Sequence, residues 1–279
     1  MARIAYVNGR YVPLPLAAVR VEDRGFQLAD GVYEVCEVRQ GRLIDEDRHW
    51  ARLRRSLAKL RIDMPMSLAA IQTIAREVVR RNRIADGLLY LQITRGAAPR
   101  GHAFPVPPVR PTLVVTARRL DPATRRRAEQ GIAVVTVPET RWARVDIKSI
   151  SLLPNVLAKQ TAVEAGAQEA WFVTADGYVN EGASSNAWIV TNGGALVTAP
   201  TDAQILEGVT RAVVLEIANE QGLTVEERRF TTDEALAAKE AFVTSATSWV
   251  TPVVRIDGEA IGSGKPGPVA SALRAALQH

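Results

Sequence analysis

The order in which strand-like and helix-like runs follow one another constrains this chain most. Residues 4–12 read as a hairpin closed by Asn8-Gly9, a pair that accepts the left-handed backbone of a tight turn. A second hairpin follows, with strand 32–38, the pair Gln40-Gly41 and strand 42–44. Residues 47–60 then place Trp50, Leu53, Leu57 and Leu60 at helical spacing, and Ser67 caps a second helix over 67–81. Strands at 88–94 and 112–116 close this part, separated by a loop rich in Gly, Pro and Arg. Strands and helices do not alternate one for one, so the pattern predicts an α+β arrangement and not a doubly wound sheet.

With 279 residues the chain exceeds the commonest single-domain size, and two domains are expected. The stretch 119–130, with Asp121-Pro122 and a run of arginines, reads as the linker between a domain over 1–118 and another over 131–279. The second domain reads as strand 132–137, helix 154–165 ended by Gly166, and short strands at 170–174, 179–181 and 186–190. Helix 210–221, strand 224–230, strands 241–244 and 251–256, and helix 268–277 complete it. Internal repeats, heptads and low-complexity segments are absent from the sequence.

The formal net charge of +5 invites a nucleic-acid reading, but basic and acidic residues are interleaved and aromatics make up only 5%. The densest basic runs are Arg52-Leu-Arg-Arg55 and Arg125-Arg-Arg127. The arginine excess is therefore read as solvated surface plus a few anion-binding positions, with no nucleic-acid partner. Cys36 is the only cysteine, which excludes an intrachain disulfide and a cysteine metal cluster, and no metal site is expected. The start of the chain lacks the apolar core of a secretion signal, and no apolar run approaches membrane-spanning length. The expected compartment is the cytoplasm.

Chemistry concentrates in two stretches. Arg144-Val-Asp-Ile-Lys-Ser-Ile-Ser-Leu-Leu-Pro-Asn155 carries Lys148, one of five lysines against thirty arginines. Arginine stays protonated, whereas lysine can be tuned into a nucleophile, so an amine-dependent reaction has few candidates here. Gly177-Tyr-Val-Asn-Glu-Gly-Ala-Ser-Ser-Asn186 carries a lone carboxylate, Glu181, followed by small residues that let backbone approach a ligand. Read singly, Lys148 is a surface lysine in a polar turn and Glu181 a strand glutamate. Leu206-Glu-Gly-Val-Thr-Arg211 places a glycine before a helix start, whose exposed N–H groups and dipole favour an anion.

Together, Asp146-Ile-Lys-Ser and Asn180-Glu-Gly-Ala-Ser-Ser-Asn resemble the two signature blocks of the class IV aminotransferases, a pyridoxal-phosphate family, and the likeness extends over nearly the whole chain. It implies fold type IV: two α/β domains with the cofactor in the cleft between them. By this resemblance Lys148 would hold pyridoxal 5′-phosphate as a Schiff base and move the substrate proton, and Glu181 would face the pyridine nitrogen. Arg52, in His49-Trp-Ala-Arg52, matches the family's phosphate-binding arginine, with Arg54 and Arg55 as competitors for the role; His49 is expected to orient or pack. Val209 and Thr210 would receive the same phosphate. A further contact would come from Ser245-Ala-Thr-Ser248, through Thr247; Ala246, where relatives often carry a hydroxyl, offers only backbone. Tyr33, in Asp30-Gly-Val-Tyr-Glu-Val35, would line the substrate pocket.

Thr94-Arg-Gly-Ala-Ala-Pro-Arg-Gly-His-Ala-Phe-Pro105 decides the branch. It is similar to the block in which the D-amino-acid branch of the family binds the substrate α-carboxylate, through positions matching Arg100 and His102. In the family these residues serve the neighbouring subunit, which implies a homodimer with shared active sites. The implied reaction is transamination between a D-amino acid and a 2-oxo acid, such as D-alanine with 2-oxoglutarate giving pyruvate and D-glutamate. Branched-chain L-amino-acid transamination, (R)-amine transamination and aminodeoxychorismate lysis are the alternatives on the same scaffold; an arginine and histidine two apart argue against the first two. The preferred side chain, the physiological pathway and assembly beyond a dimer are not encoded legibly.

Overall fold

Both expected N-terminal hairpins form, and each turns on left-handed backbone: Asn8 and Gly9 have φ of 45° and 98°, Gln40 and Gly41 of 49° and 76°. The structure is a computed structural model that describes residues 3–202 and 204–277; Met1 and Ala2 at the start of the chain, and the side chains of Pro122, Arg125 and Arg127, lie outside the described residues. The chain divides into two units. The first is Met1–Asp121 with Ile147–Ser151, and the second is Pro122–Asp146 with Leu152–His279. A short segment around Lys148 thus belongs to the first unit although its neighbours in sequence belong to the second.

The first unit runs β1 (Ile4–Val7), β2 (Arg10–Pro13), α1 (Arg24–Leu28), β3 (Gly31–Arg39), β4 (Arg42–Leu43), α2 (Glu46–Leu60), α3 (Leu68–Arg81), β5 (Gly87–Thr94) and β6 (Thr112–Arg119). Its antiparallel sheet has the order β2-β1-β6-β5-β3-β4. Period two along the strands sends Val32, Cys36 and Val38 of β3 and Leu89, Leu91 and Ile93 of β5 to one face. There they meet Trp50, Leu53 and Leu57 of α2 and Ile71 and Val78 of α3, all buried. Burying a side chain of this size contributes about 1.5–3 kcal/mol, so this face holds the unit together. Ser67 caps α3 by accepting from the Ala70 amide at 3.3 Å.

The second unit continues with α4 (Pro122–Gln130), β7 (Ile132–Pro138), α5 (Leu153–Glu164), β8 (Glu169–Val173), β9 (Tyr178–Gly182), β10 (Asn186–Val190) and β11 (Leu196–Thr198). It ends with α6 (Val209–Glu220), β12 (Val225–Glu227), β13 (Phe230–Thr231), α7 (Thr232–Leu236), β14 (Glu240–Ser245), β15 (Trp249–Ile256), β16 (Glu259–Ala260) and α8 (Pro268–Ala276). The strand order is β12-β11-β10-β14-β15-β7-β8-β9-β13, with β16 beside β15.

Three features depart from the pattern in the sequence. The stretch 119–130 holds the helix α4. The single strand expected over 224–230 is two, β12 and β13, at opposite ends of the sheet. The exposed Arg228 side chain, paired with Glu226 and Glu234, interrupts the run, and Phe230 is then buried edge-on against Trp171 at 6.0 Å. Nor is the arginine excess all surface: Arg24, Arg52, Arg95, Arg211 and Arg274 are each no more than 8% exposed. Among the described residues no helix is long and apolar enough to cross a membrane.

Candidate active site

Period two on β3 also carries Glu34 to the helix-facing side, between Val32 and Cys36, where it is fully buried. A carboxylate there needs a cation. α2 supplies it: Arg52 donates from Nε to Glu34 Oε1 at 2.8 Å and from a terminal nitrogen to Oε2 at 2.7 Å. His49, three residues earlier on the same helix face, lies 2.8 Å from Glu34 Oε2 through Nδ1. Burial alone would raise the Glu34 pKa, but the charge and hydrogen bonds of Arg52, with His49, bring it down to about 2. Arg54 and Arg55, the competitors for the anion-binding role, are exposed on the other side of α2. Position alone separates Arg52 from them.

The Lys148 segment is clasped along the start of β3. Tyr33 donates its amide to the Lys148 carbonyl at 3.0 Å, Ile150 donates to the Gly31 carbonyl at 3.1 Å, and Val32 bridges Ser149. Lys148 donates its own amide to Ser56 Oγ on α2 at 3.3 Å. Gly31 is required at this crossing, since a Cβ there would stand 2.8 Å from the Ile93 carbonyl and 3.1 Å from Ile150. The Lys148 amine lies 4.4 Å from the centre of the Tyr33 ring, and among the described residues no carboxylate pairs with it. Tyr33 stacks on Tyr90 at 5.8 Å, and burial pushes the Tyr90 phenol up to about 12.

Arg100 and His102 are exposed on the loop between β5 and β6. Tyr33, Arg52, Lys148, Arg100 and His102 therefore all belong to the first unit.

Glu181, Val209, Thr210 and Thr247 belong to the second. Glu181, on β9, is buried. Arg141 ion-pairs with its Oε1, Asn186 donates to Oε2 at 2.9 Å, and the Leu206 amide donates to the carboxylate at 3.1 Å. Arg141 is itself held by Glu139, which also accepts from Asn180 at 3.0 Å. Burial raises the Glu139 pKa, and the Arg141 hydrogen bond and charge more than reverse it. Asn186 also donates to the Leu206 carbonyl at 2.9 Å, tying Glu181 to the turn that opens α6. At that turn Gly208 caps α6 without a side-chain hydrogen bond, and a Cβ on it would fall 2.1 Å from Asn186 Oδ1. Val209 and Thr210 follow, buried in the first turn.

Thr247 lies on the turn between β14 and β15, its hydroxyl 3.1 Å from Ser245 Oγ, which also bonds Ser248 at 2.8 Å. It lines a cavity of about 150 Å³ with Ser184, Ser185, Ser245 and Ser248. The described walls of that cavity do not include Val209 or Thr210.

These features suit an anionic cofactor such as pyridoxal phosphate. A helix start with no side-chain cap offers N–H groups to a phosphate, and a glycine is enforced there by the space. A buried carboxylate braced by an arginine, an amide side chain and a backbone N–H gives a fixed anion for a ring nitrogen. An amine without an acidic partner suits covalent attachment. Pattern in the sequence missed Glu34, Arg141 and Asn186. The first had a signal: an acid inside an apolar period-two stripe, matched by a histidine and arginine three apart on the next helix.

The amino-transferase class IV family model matches residues 31–256. The chain is 44% identical to the D-alanine aminotransferase of Bacillus licheniformis over 274 residues, covering 98% of this chain and 95% of the other. It is 39% identical to that of Staphylococcus haemolyticus over 269 residues, covering 96% and 94%. The branched-chain amino acid aminotransferase of T.th., solved with pyridoxamine 5′-phosphate, superposes with a TM-score of 0.90 at 29% identity, covering all of this chain and 93% of that one.

Proposed function

The chain belongs to the class IV aminotransferases, pyridoxal-phosphate-dependent enzymes, and within that family we propose that it transfers amino groups between D-amino acids and 2-oxo acids. The representative reaction is D-alanine with 2-oxoglutarate giving pyruvate and D-glutamate. The observation that carries the choice of substrate is the β5–β6 loop, which presents Arg100 and His102 together at the surface. A guanidinium fits a carboxylate with two parallel hydrogen bonds, and the imidazole beside it adds a third contact. Near-full-length similarity to D-alanine aminotransferases supports the same assignment.

Bound pyridoxal phosphate supplies an electron sink for the pair left when the substrate Cα–H bond breaks. By the family resemblance Arg52, Val209, Thr210 and Thr247 would hold its phosphate, and Glu181 would hold its ring nitrogen by charge. Lys148 Nζ would hold the cofactor and carry the Cα proton. Its neighbour Tyr33 walls the substrate side. Arg100 and His102 would bind the α-carboxylate.

The working form is a homodimer in which each chain lends Arg100 and His102 to its partner's site. Helix α5 supports this. It turns its alanines, Ala158 and Ala162, inward and leaves Leu153, Val156, Leu157 and Val163 between 59% and 69% exposed. Large apolar side chains in a row on a helix are covered in the assembled state. The compartment proposed is the cytoplasm, in keeping with a single, buried thiol at Cys36.

One observation favours a second substrate class: the strong superposition on a branched-chain enzyme. A visible absorbance spectrum of the purified holoenzyme separates the two. D-alanine, and not L-leucine, is expected to bleach the yellow band of the bound cofactor. Bleaching by L-leucine instead would replace the D-amino-acid assignment with the branched-chain one.

A further inference from the structure

We propose that Arg24 is the positioning residue of the carboxylate-binding loop, holding Arg100 and His102 where they meet substrate. This rests on the assignment of those two side chains made above. Arg24 opens α1 and is only 4% exposed. Its Nε donates to Asp30 Oδ2 at 2.8 Å. One terminal nitrogen donates to the carbonyls of Gly101 at 2.5 Å and Ala103 at 3.2 Å, and the other donates to the carbonyl of His102 at 3.2 Å. Three consecutive carbonyls of the loop thus converge on one buried guanidinium, at the segment that carries Arg100 and His102.

The rest of the loop is stitched to the same place. The Arg24 amide donates to the Gly96 carbonyl at 2.9 Å, the Ala98 amide donates to the Glu22 carbonyl at 3.2 Å, and Asp23 bridges Ala97. Arg95 grips both oxygens of Asp30, at 2.7 and 3.0 Å, and donates to the carbonyls of Leu60 and Arg61. Its guanidinium lies 3.6 Å from the centre of the Phe104 ring. Asp30 is therefore a shared anchor: burial would raise its pKa, but the hydrogen bonds from Arg95 and Arg24 outweigh that and keep it ionised. A loop over residues 95–111 without regular structure is ordinarily mobile or functional. Here its backbone is bracketed at 96–98 by strand-like bonds and at 101–103 by Arg24, so the exposed side chains at 100 and 102 project from fixed backbone.

Arginine is needed because its planar fork serves Asp30 and three carbonyls at once; a lysine ammonium cannot span them. A loosened loop weakens carboxylate binding in the ground and transition states alike, which raises KM and spares kcat. Steady-state kinetics of the holoenzyme with D-alanine and 2-oxoglutarate test this in R24K, R100A and the double variant. R24K is expected to raise the KM for D-alanine about tenfold with kcat within about twofold, and to add little in the R100A background, because coupled residues are non-additive. The yellow band of the bound cofactor should be unchanged in R24K. An unchanged KM in R24K alongside a raised KM in R100A overturns the role of Arg24 and leaves the carboxylate site standing. An unchanged KM in R100A overturns both. A full additive loss in the double variant also overturns the role, since Arg24 would then act elsewhere. F104L frees the loop from Arg95 without touching the buried pair and gives a second test should R24K not fold; a smaller rise in KM is expected, and no rise refutes the bracketing of the loop.

Discussion

Replacing Glu34 with Gln isolates the buried ion pair on which Arg52 depends. The variant keeps shape and one acceptor but removes the negative charge that faces the Arg52 guanidinium inside the first unit, where Glu34 has no exposed surface. Two independent routes give the same magnitude. Breaking one partner of a buried pair costs about 3–5 kcal/mol. The folded-state pKa of about 2, against an ordinary value of 4.5, is a shift of 2.5. At about 1.4 kcal/mol per pKa unit that corresponds to about 3 kcal/mol. The sign follows from linkage: a depressed carboxylate pKa gives stability that is complete above the unfolded value and is lost as pH falls through the folded one. The stability gap between wild type and E34Q is therefore expected to be about 3 kcal/mol above pH 5 and to shrink to about 1 kcal/mol or less between pH 3 and pH 2. Urea unfolding of the apoprotein, repeated across that pH range, measures the gap directly, and taking the difference cancels the other carboxylates. A gap that stays constant between pH 7 and pH 2 would refute the reasoning, because the loss would then come from packing and not from charge.

Lys148→Ala should abolish transamination while leaving the circular dichroism spectrum of the protein intact; ordinary turnover would remove Lys148 from the chemistry. Gly208→Ala puts a methyl 2.1 Å from Asn186 Oδ1 and must displace the side chain that links Glu181 to the start of α6. Pyridoxal phosphate affinity, followed by fluorescence titration, is expected to drop about tenfold or more, equivalent to about 1.4 kcal/mol; unchanged affinity would show that α6 tolerates the shift. Leu157→Glu places a charge in the exposed apolar row of α5 and should move the protein from dimer to monomer in sedimentation velocity, with D-alanine turnover lost in parallel. A stable L157E dimer would point to a different interface.

Local signals survived folding where one element decided them. Asn8-Gly9 and Gln40-Gly41 turn because their backbone needs positive φ, and the apolar rows of α2 and α3 need only one sheet face. The strand expected at 224–230 failed because its two halves serve opposite edges of a sheet, a property of topology that no window of seven residues contains. Arg52 could be separated from Arg54 and Arg55 in sequence only by family resemblance; in the fold, burial opposite Glu34 separates them on physical grounds. Arg24 was illegible for a plainer reason. Its partners at 101–103 lie more than seventy residues away and offer only backbone, so no residue type marks them.

The imbalance of thirty arginines to five lysines acquires a physical reading from these contacts. Arg24, Arg52, Arg95 and Arg141 each sit inside the protein and each serve two or more acceptors. Such a role suits a group that stays protonated when desolvated and has donors in a fixed fork. Lysine in the same positions would lose its charge on burial more readily, and the acids Glu34, Asp30 and Glu181 would lose the counter-charge it supplies. The same lability is what a reactive amine requires. Lys59, Lys239 and Lys265 are exposed and Lys159 is paired with Glu169, whereas Lys148 is half-buried with no acid beside it among the described residues. Arginine thus builds the rigid brackets, and the proposed chemistry falls to a lysine set apart from the acids. An Arg95→Lys or Arg141→Lys exchange is accordingly a structural lesion in this protein despite the conserved charge.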